Sequence, residues 1–118
     1  MRILFDKNVP VGVRRFLPGH EVHTVAEMPW PEKLKNGELL NLAEQAGFEV
    51  LLTADQNIRF QQNLTGRELA LVVLGSNYWP IVRQHEAEIA AAVDAATPGS
   101  YSFIDMPLPP KPRKGRRL

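Results

Sequence analysis

The sequence predicts a three-layer α/β/α fold in which helices cover both faces of a central, mostly parallel, five-stranded sheet. Short apolar runs alternate with helical patterns along the chain, an order typical of parallel sheets. The runs at residues 50–53 and 69–74 are almost wholly apolar, as expected of strands buried on both faces. The chain has 118 residues, 44% of them hydrophobic, so a single domain can bury a sizeable core.

The first two strands are predicted on either side of a short helix. Residues 2–5 form an apolar first strand. Pro10 suits the first turn of a helix, where its missing N–H is not needed, and residues 11–17 continue that helix. Pro18 ends it. The polar–apolar alternation of residues 21–25 is typical of a second strand, half exposed to solvent.

A loop, a helix and the third strand follow. The loop covers residues 26–35. Leucines and alanines recur at helical spacing over residues 36–47, with Asn36 as the candidate N-cap and Gly47 as the candidate stop. Residues 48–53 then form the third strand.

The last two strands flank a long helix. Residues 56–68 are polar and predict a short helix or turn followed by a loop. Residues 69–74 form the fourth strand, and an amphipathic helix is predicted over residues 80–96. Residues 101–104 alternate as the fifth strand.

The folded domain is predicted to cover residues 1–106, followed by a Pro-rich, basic tail at residues 107–118. The last eight residues hold five basic side chains and no acid, whereas the rest of the chain carries 9 basic and 13 acidic residues. A tail of this composition either contacts nucleic acid or an acidic partner, or is a disordered, solubilising end.

Composition excludes several classes of protein. The chain has no cysteine, which rules out disulfides, thiolate metal sites and a cysteine nucleophile. No apolar run approaches the ~18 residues of a membrane span, and the amino terminus lacks the pattern of a signal peptide. We therefore expect a cytoplasmic protein without a membrane partner.

Two acids end two of the predicted strands. Asp6 follows the first strand and Asp55 follows the third, and each has an asparagine two residues later, Asn8 and Asn57. The carboxyl ends of parallel strands lie at one edge of the sheet, where ligands of α/β proteins bind. We therefore expect both carboxylates at one edge.

Glu38 is the third candidate acid. It lies in the first turn of the helix that leads into the third strand. We expect a helix that simply packs antiparallel to this strand to begin at the end opposite Asp55. On this view Glu38 reaches the acidic edge only because the long loop 26–35 precedes its helix.

A cluster of carboxylates suits Mg²⁺ or Mn²⁺, which prefer oxygen ligands and keep several waters. Such an ion can orient a water and neutralise charge on a phosphodiester. The alternative is purely structural: Asp6 and Asp55 end strands and cap adjacent helices, and Glu38 is a surface acid favoured by the helix dipole.

Four short motifs, spread over residues 1–75, form a characteristic set. They are Ile3-Leu4-Phe5-Asp6-Lys7-Asn8-Val9-Pro10, Gly19-His20-Glu21-Val22, Asn36-Gly37-Glu38-Leu39-Leu40 and Leu51-Leu52-Thr53-Ala54-Asp55-Gln56-Asn57. On these motifs the chain resembles short bacterial PIN-like domains. The resemblance implies an α/β/α fold and kinship with metal-dependent ribonucleases. These include the toxins of toxin–antitoxin pairs, whose partners are small helical DNA-binding antitoxins.

The resemblance also implies which acids act. Asp6 matches the acid after the first strand of the family, and Glu38 and Asp55 match acids of the second helix and the third strand region. These three are the expected catalytic residues and, with Asn36, the expected metal ligands.

The chain departs from the family at several acidic positions. Asn36 stands where relatives often have Asp, and Asn57 stands where a second acid often follows the strand. After the fourth strand, Ser76 and Asn77 occupy a region where such nucleases commonly add another acid. Since Asn ligates a metal without charge, we expect weaker metal binding and impaired catalysis.

The leading hypothesis is a Mg²⁺- or Mn²⁺-dependent ribonuclease, the toxin component of a toxin–antitoxin pair. A metal-bound water would attack the phosphorus, and an arginine would hold the phosphate. The expected substrate contacts are Asn8, Asn57, Arg59, Arg67 and Asn77.

Two other hypotheses remain open. The same fold without catalysis would bind a small helical antitoxin-like protein, or a second copy as a homodimer, through the loop around Trp30 or through Tyr78-Trp79. A receiver-type phosphoacceptor is the third. Asp55 and Ser76 fit that class. This chain, however, lacks the second acid that receivers have after the first strand and the Lys that they have after the fifth.

Overall fold

Five parallel strands form a single sheet in the computed structural model, which describes residues 1–58 and 64–108. The strand order is β2-β1-β3-β4-β5. The strands are β1 (Arg2–Phe5), β2 (Glu21–Thr24), β3 (Val50–Thr53), β4 (Ala70–Leu74) and β5 (Tyr101–Ile104). The predicted α/β class with a five-stranded parallel sheet is confirmed.

Helices and tight 3₁₀ turns connect the strands. The α-helices of the described residues are α1 (Asn36–Gln45), α2 (Trp79–Val82) and α3 (Glu86–Asp94). The 3₁₀ turns are Val11–Phe16, Val25–Glu27 and Arg83–His85. No helix of the described part is both long and apolar enough to cross a membrane.

The sheet separates two hydrophobic cores because alternate side chains of a strand point to opposite faces. Ile3 and Phe5 enter one core, together with Val13 of the first 3₁₀ turn and Ile89 of α3. The residue between them, Leu4, enters the second core with residues of α1. Every residue of the central strands β3 and β4 is buried, as their apolar composition predicts. The layers are therefore helix, sheet and helix.

Gly47 ends α1 as predicted. Its φ of +83° is the left-handed conformation that glycine adopts most easily. At the other end of the helix the N-cap is Lys35, one residue before the predicted Asn36. Asn36 is therefore the first helical residue, and its side chain is directed by the helix rather than by the preceding loop.

The helix predicted over residues 80–96 is interrupted. It divides into α2 and α3, separated by the 3₁₀ turn Arg83–His85. His85 leaves the helical range at φ −110° and ψ 27°. Its Nδ1 lies 2.8 Å from Oε1 of Glu88, in the first turn of α3. The apolar pattern continues through the break, which explains why the sequence indicates a single helix.

Two predicted regions lie partly or wholly outside the described residues. Residues 59–63 belong to the predicted polar segment and include Arg59, an expected substrate contact. Residues 109–118 contain all of the basic part of the predicted tail.

The first 3₁₀ turn passes directly under an aromatic ring. A Cβ built on Gly12 would lie 2.6 Å from Cη2 of Trp79. The Trp79 ring is stacked on Phe16, with centroids 5.8 Å apart and an angle of 15° between the planes. Close packing of this turn therefore requires glycine at position 12.

We expect Gly12→Ala to lower the free energy of unfolding by about 1–3 kcal/mol, the usual cost of overpacking. Urea denaturation measures the change. In a Trp79→Leu background the same substitution should cost much less, since the two positions share one contact. An equal cost in both backgrounds would show that contact with the indole is not the reason.

Candidate functional site

The acids predicted at two strand ends follow β1 and β3, the adjacent strands between which the strand order reverses. From the neighbouring strands β1 and β3 the sheet grows outward on opposite sides, to β2 on one side and to β4 on the other. Such a switch point opens a crevice at the carboxyl ends of the strands, where ligands of doubly wound folds bind. Asp6 directly follows β1, and a single residue separates Asp55 from the end of β3.

Thr53 connects the two acids. Its side chain is fully buried, the one polar residue in the buried class among the described residues. The Oγ1 hydroxyl donates to Oδ2 of Asp6 at 2.8 Å and accepts the backbone N–H of Asp55 at 3.1 Å. We call the edge formed by Asp6, Thr53 and Asp55 the carboxylate rim.

The Asp6 carboxylate is oriented by two donors. Besides Thr53, the backbone N–H of Lys7 donates to its Oδ1 at 2.8 Å. The backbone N–H of Asp6 itself bonds to the carbonyl oxygen of Leu52 at 2.9 Å and keeps the chain in register with β3 beyond the end of β1. A carboxylate has about four acceptor positions. Asp6 is half-buried, so positions beyond these two can accept a further ligand.

Neutral donors also hold the Asp55 carboxylate. Asn36 donates from Nδ2 to its Oδ2 at 3.0 Å. The backbone N–H of Asn57 donates to its Oδ1 at 3.0 Å. Asn36 is thus brought to the carboxylate rim as expected, whereas Asn57 contributes a backbone group there and its side chain is exposed.

Asn8 has a structural bond. Its Oδ1 accepts the backbone N–H of Ala54 at 3.0 Å, which joins the loop after β1 to the loop after β3. The expected role of Asn8 in substrate binding would therefore use the remaining atoms of its amide. Each loop has an Asp followed two residues later by an Asn, but the two asparagines act differently. Asn8 uses its side chain, whereas Asn57 uses its backbone N–H.

The expectation that α1 begins opposite Asp55 is wrong. A helix that leads into a parallel strand runs back across the sheet, from the carboxyl edge to the amino edge. Its first residue therefore lies beside the carboxyl ends of the strands, as the bond from Asn36 to Asp55 shows. The long loop before α1 is not needed to explain this.

Glu38 is exposed in the first turn of α1, two residues after Asn36, and has a capping role. Its Oε1 accepts the backbone N–H of Lys35 at 3.0 Å, which is the glutamate half of a capping box. This contact satisfies a donor at the start of α1 and favours a negative charge at the positive end of the helix. Glu38 therefore stabilises the helix that carries Asn36.

Arg67 is not brought to the carboxylate rim. It lies before β4 and therefore near the amino edge of the sheet. Its Nη1 forms an ion pair with Glu44 of α1 and donates to Oδ1 of Asn41 at 3.0 Å. Asn77, another expected substrate contact, follows β4 on the carboxyl side and is exposed.

Lys7 is a basic residue at the carboxyl edge of the sheet, and the sequence pattern did not single it out. Its Nζ donates to the backbone carbonyl of Glu32 at 2.7 Å. Lys7 lines a cavity of about 80 Å³ together with Asp6, Asn36 and the loop before α1. The available signal was its position, directly after the first acid of the carboxylate rim.

The residues present fit a sparsely ligated divalent cation. Among residues 1–58 and 64–108, no three acidic, histidine or cysteine side chains come together as a metal-binding group. Magnesium, however, is usually bound through one or two carboxylates, several waters and the phosphates of a substrate. The two carboxylates of the carboxylate rim and the amide of Asn36 are oxygen donors of this kind.

The bridging hydroxyl can be tested by two substitutions. Thr53→Val keeps the shape of the side chain but removes the donor to Asp6 and the acceptor of the Asp55 N–H. We expect the free energy of unfolding to fall by about 1–3 kcal/mol because buried polar groups lose their partners. Thr53→Ser keeps the hydroxyl and loses one methyl group, at about 1 kcal/mol. Both changes are measured by denaturant unfolding at neutral pH. Equal losses of unfolding free energy in Thr53→Val and Thr53→Ser would contradict a bridging role for the hydroxyl.

Comparison of the chain with protein-family models, with curated proteins and with solved structures finds no match.

Proposed function

We propose that this protein is a Mg²⁺- or Mn²⁺-dependent ribonuclease of the PIN-like type, acting at the carboxylate rim. The observation that carries the proposal is the pairing of Asp6 and Asp55 through Thr53 at the switch point of the sheet. This is the crevice in which doubly wound folds bind their ligands.

The electrostatics of the carboxylate rim support a cationic ligand. Within residues 1–58 and 64–108, the donors to the two carboxylates are a hydroxyl, an amide and backbone N–H groups. No lysine, arginine or histidine of the described residues forms an ion pair with Asp6 or Asp55. Neutral donors orient a carboxylate without cancelling its charge, an arrangement that favours a cation as the ligand.

Each residue of the site has a defined part in the proposed reaction. Asp6 and Asp55 hold the ion, with their carboxylates oriented by Thr53 and Asn36. When bound, Mg²⁺ or Mn²⁺ supplies an activated water and neutralises charge on the phosphodiester. Asn36 donates from its amide nitrogen to Asp55, and Glu38 adds negative charge from the first turn of α1.

The biological setting follows the resemblance to PIN-like domains. Three of the four motifs that carry it, those containing Asp6, Glu38 and Asp55, meet at one edge of the sheet. On this basis the protein is the toxin component of a toxin–antitoxin pair, cleaves cellular RNA in the cytoplasm and is bound by a small helical antitoxin-like protein.

The first test is a calorimetric titration with Mn²⁺. Wild-type protein should show saturable binding, and a variant with both Asp6→Asn and Asp55→Asn should lose it, because the two charged ligands are gone. RNA cleavage in the presence of Mn²⁺ should disappear in the same variant. The proposal fails if wild-type protein binds no Mn²⁺ at millimolar concentration.

A second prediction concerns the asparagine beside Asp55. Asn36→Asp replaces the amide that donates to Oδ2 of Asp55 at 3.0 Å with a carboxylate. Like charges at this distance should lower the melting temperature in metal-free buffer. The same charge should tighten Mn²⁺ binding by about tenfold, or 1.4 kcal/mol.

Gln45→Glu is the matched control for this prediction. It adds the same charge near the other end of α1, at an exposed position away from the carboxylate rim. It should leave Mn²⁺ affinity unchanged. If both substitutions tighten binding equally, the gain reflects net charge rather than an added ligand.

A partner-binding module without catalysis is the second candidate. Tyr78 is 60% exposed and Val11 is 71% exposed, both in segments that follow strands at the carboxyl edge. The other aromatic residues considered for this role pack on the domain: Trp79 stacks on Phe16 and Trp30 lies against the second core. Absence of Mn²⁺ binding, together with concentration-dependent dimerisation that Tyr78→Ser weakens in sedimentation experiments, would favour this candidate.

A further inference from the structure

Lys7 is held more firmly than an ordinary surface lysine. Its side chain is exposed, yet Nζ donates to the carbonyl of Glu32, 25 residues later in the chain, at 2.7 Å. An ammonium group has three donors, and the carbonyl accepts one of them. The backbone N–H of the same residue donates to Asp6. Lys7 therefore presents a fixed positive charge at the cavity that Asp6 also lines.

A ribonuclease at this edge requires such a charge. Asp6, Asp55 and Glu38 are all negative, and an RNA phosphate that approaches them is repelled unless a cation is present. Arg67 does not serve this purpose, since its guanidinium is paired with Glu44 near the amino edge. Lys7 lines the same cavity of about 80 Å³ as Asp6 and Asn36.

We propose that Lys7 is the phosphate-binding residue of the carboxylate rim, and that its ligand is a phosphodiester of single-stranded RNA. The inference rests on the proposed ribonuclease function and assigns to Lys7 the contact that Arg67 does not make. Lysine binds phosphate as a compact point charge, which suits a position where one donor is already used by a carbonyl.

The position of Lys7 gives it opposite effects on the two ligands of the site. Its charge attracts the phosphate of RNA and repels a divalent cation held by Asp6. Removal of the charge should therefore weaken RNA binding and tighten metal binding. A lysine that only stabilises the loop around Glu32 would not produce this pair of changes.

The experiment measures fluorescence anisotropy of a labelled single-stranded RNA of mixed sequence, in EDTA and at low salt. Lys7→Ala should weaken binding by about tenfold. It should also reduce the slope of log K against log salt by about 0.7, the value for one phosphate contact on a single strand. A separate titration should show Mn²⁺ binding about threefold tighter than in wild-type protein.

Two further variants separate charge from structure. Lys7→Gln keeps a donor for the carbonyl of Glu32 without the charge, and should behave as Lys7→Ala does. Lys33→Ala removes an equal charge from the loop that contains Glu32, at an exposed residue that does not line the cavity, and should weaken RNA binding by less than twofold. Equal losses in Lys7→Ala and Lys33→Ala overturn the inference, as does wild-type protein that does not bind RNA.

The outcomes distinguish this inference from the proposed function. If wild-type protein binds no Mn²⁺ but Lys7→Ala still loses RNA affinity tenfold, the metal-dependent reaction fails and the role of Lys7 stands. If Mn²⁺ binds at the carboxylate rim and Lys7→Ala binds RNA as wild type does, the ribonuclease proposal stands and Lys7 has no role in it.

Discussion

The hydroxyl of Thr53 is the contact on which the candidate site depends. It is buried at the end of β3, donates to Asp6 and accepts from the backbone of Asp55, and so fixes the acids of two strands relative to each other. Without it, a buried strand end would leave polar groups unpaired, at a cost comparable to a lost hydrogen bond. One of these bonds orients the Asp6 carboxylate and the other positions the backbone of Asp55, so stability and site geometry are coupled.

Most of the fold could be predicted from the sequence because its apolar runs are short and clearly bounded. β5 has the predicted bounds, and Gly47 ends α1 where its conformational freedom indicated. The errors occur where local pattern does not determine geometry. The helix after β4 is interrupted although its apolar stripe is continuous, and the helix predicted over residues 11–17 is a 3₁₀ turn that packs against the ring of Trp79.

The candidate site could be predicted only in part. Asp6 and Asp55 follow strands, so topology alone places them together. The partner of Thr53 is 47 residues away and that of Lys7 is 25 residues away, and no local pattern indicates such contacts. Arg67 could have been excluded, however, because a residue that precedes a parallel strand lies at the amino edge. The same rule places the start of α1 at the carboxyl edge.

The charged residues discussed at the two ends of the sheet have different kinds of partner. At the amino end, Arg67 and Glu44 neutralise each other in an ion pair that is about four-fifths buried. At the carboxyl end, Asp6 and Asp55 are bound by neutral groups that fix their direction and leave their charge in place. A cation bound at the carboxylate rim would therefore meet carboxylates that are already oriented. Lys7 lines the same cavity as Asp6 and would favour an anionic ligand next to that cation.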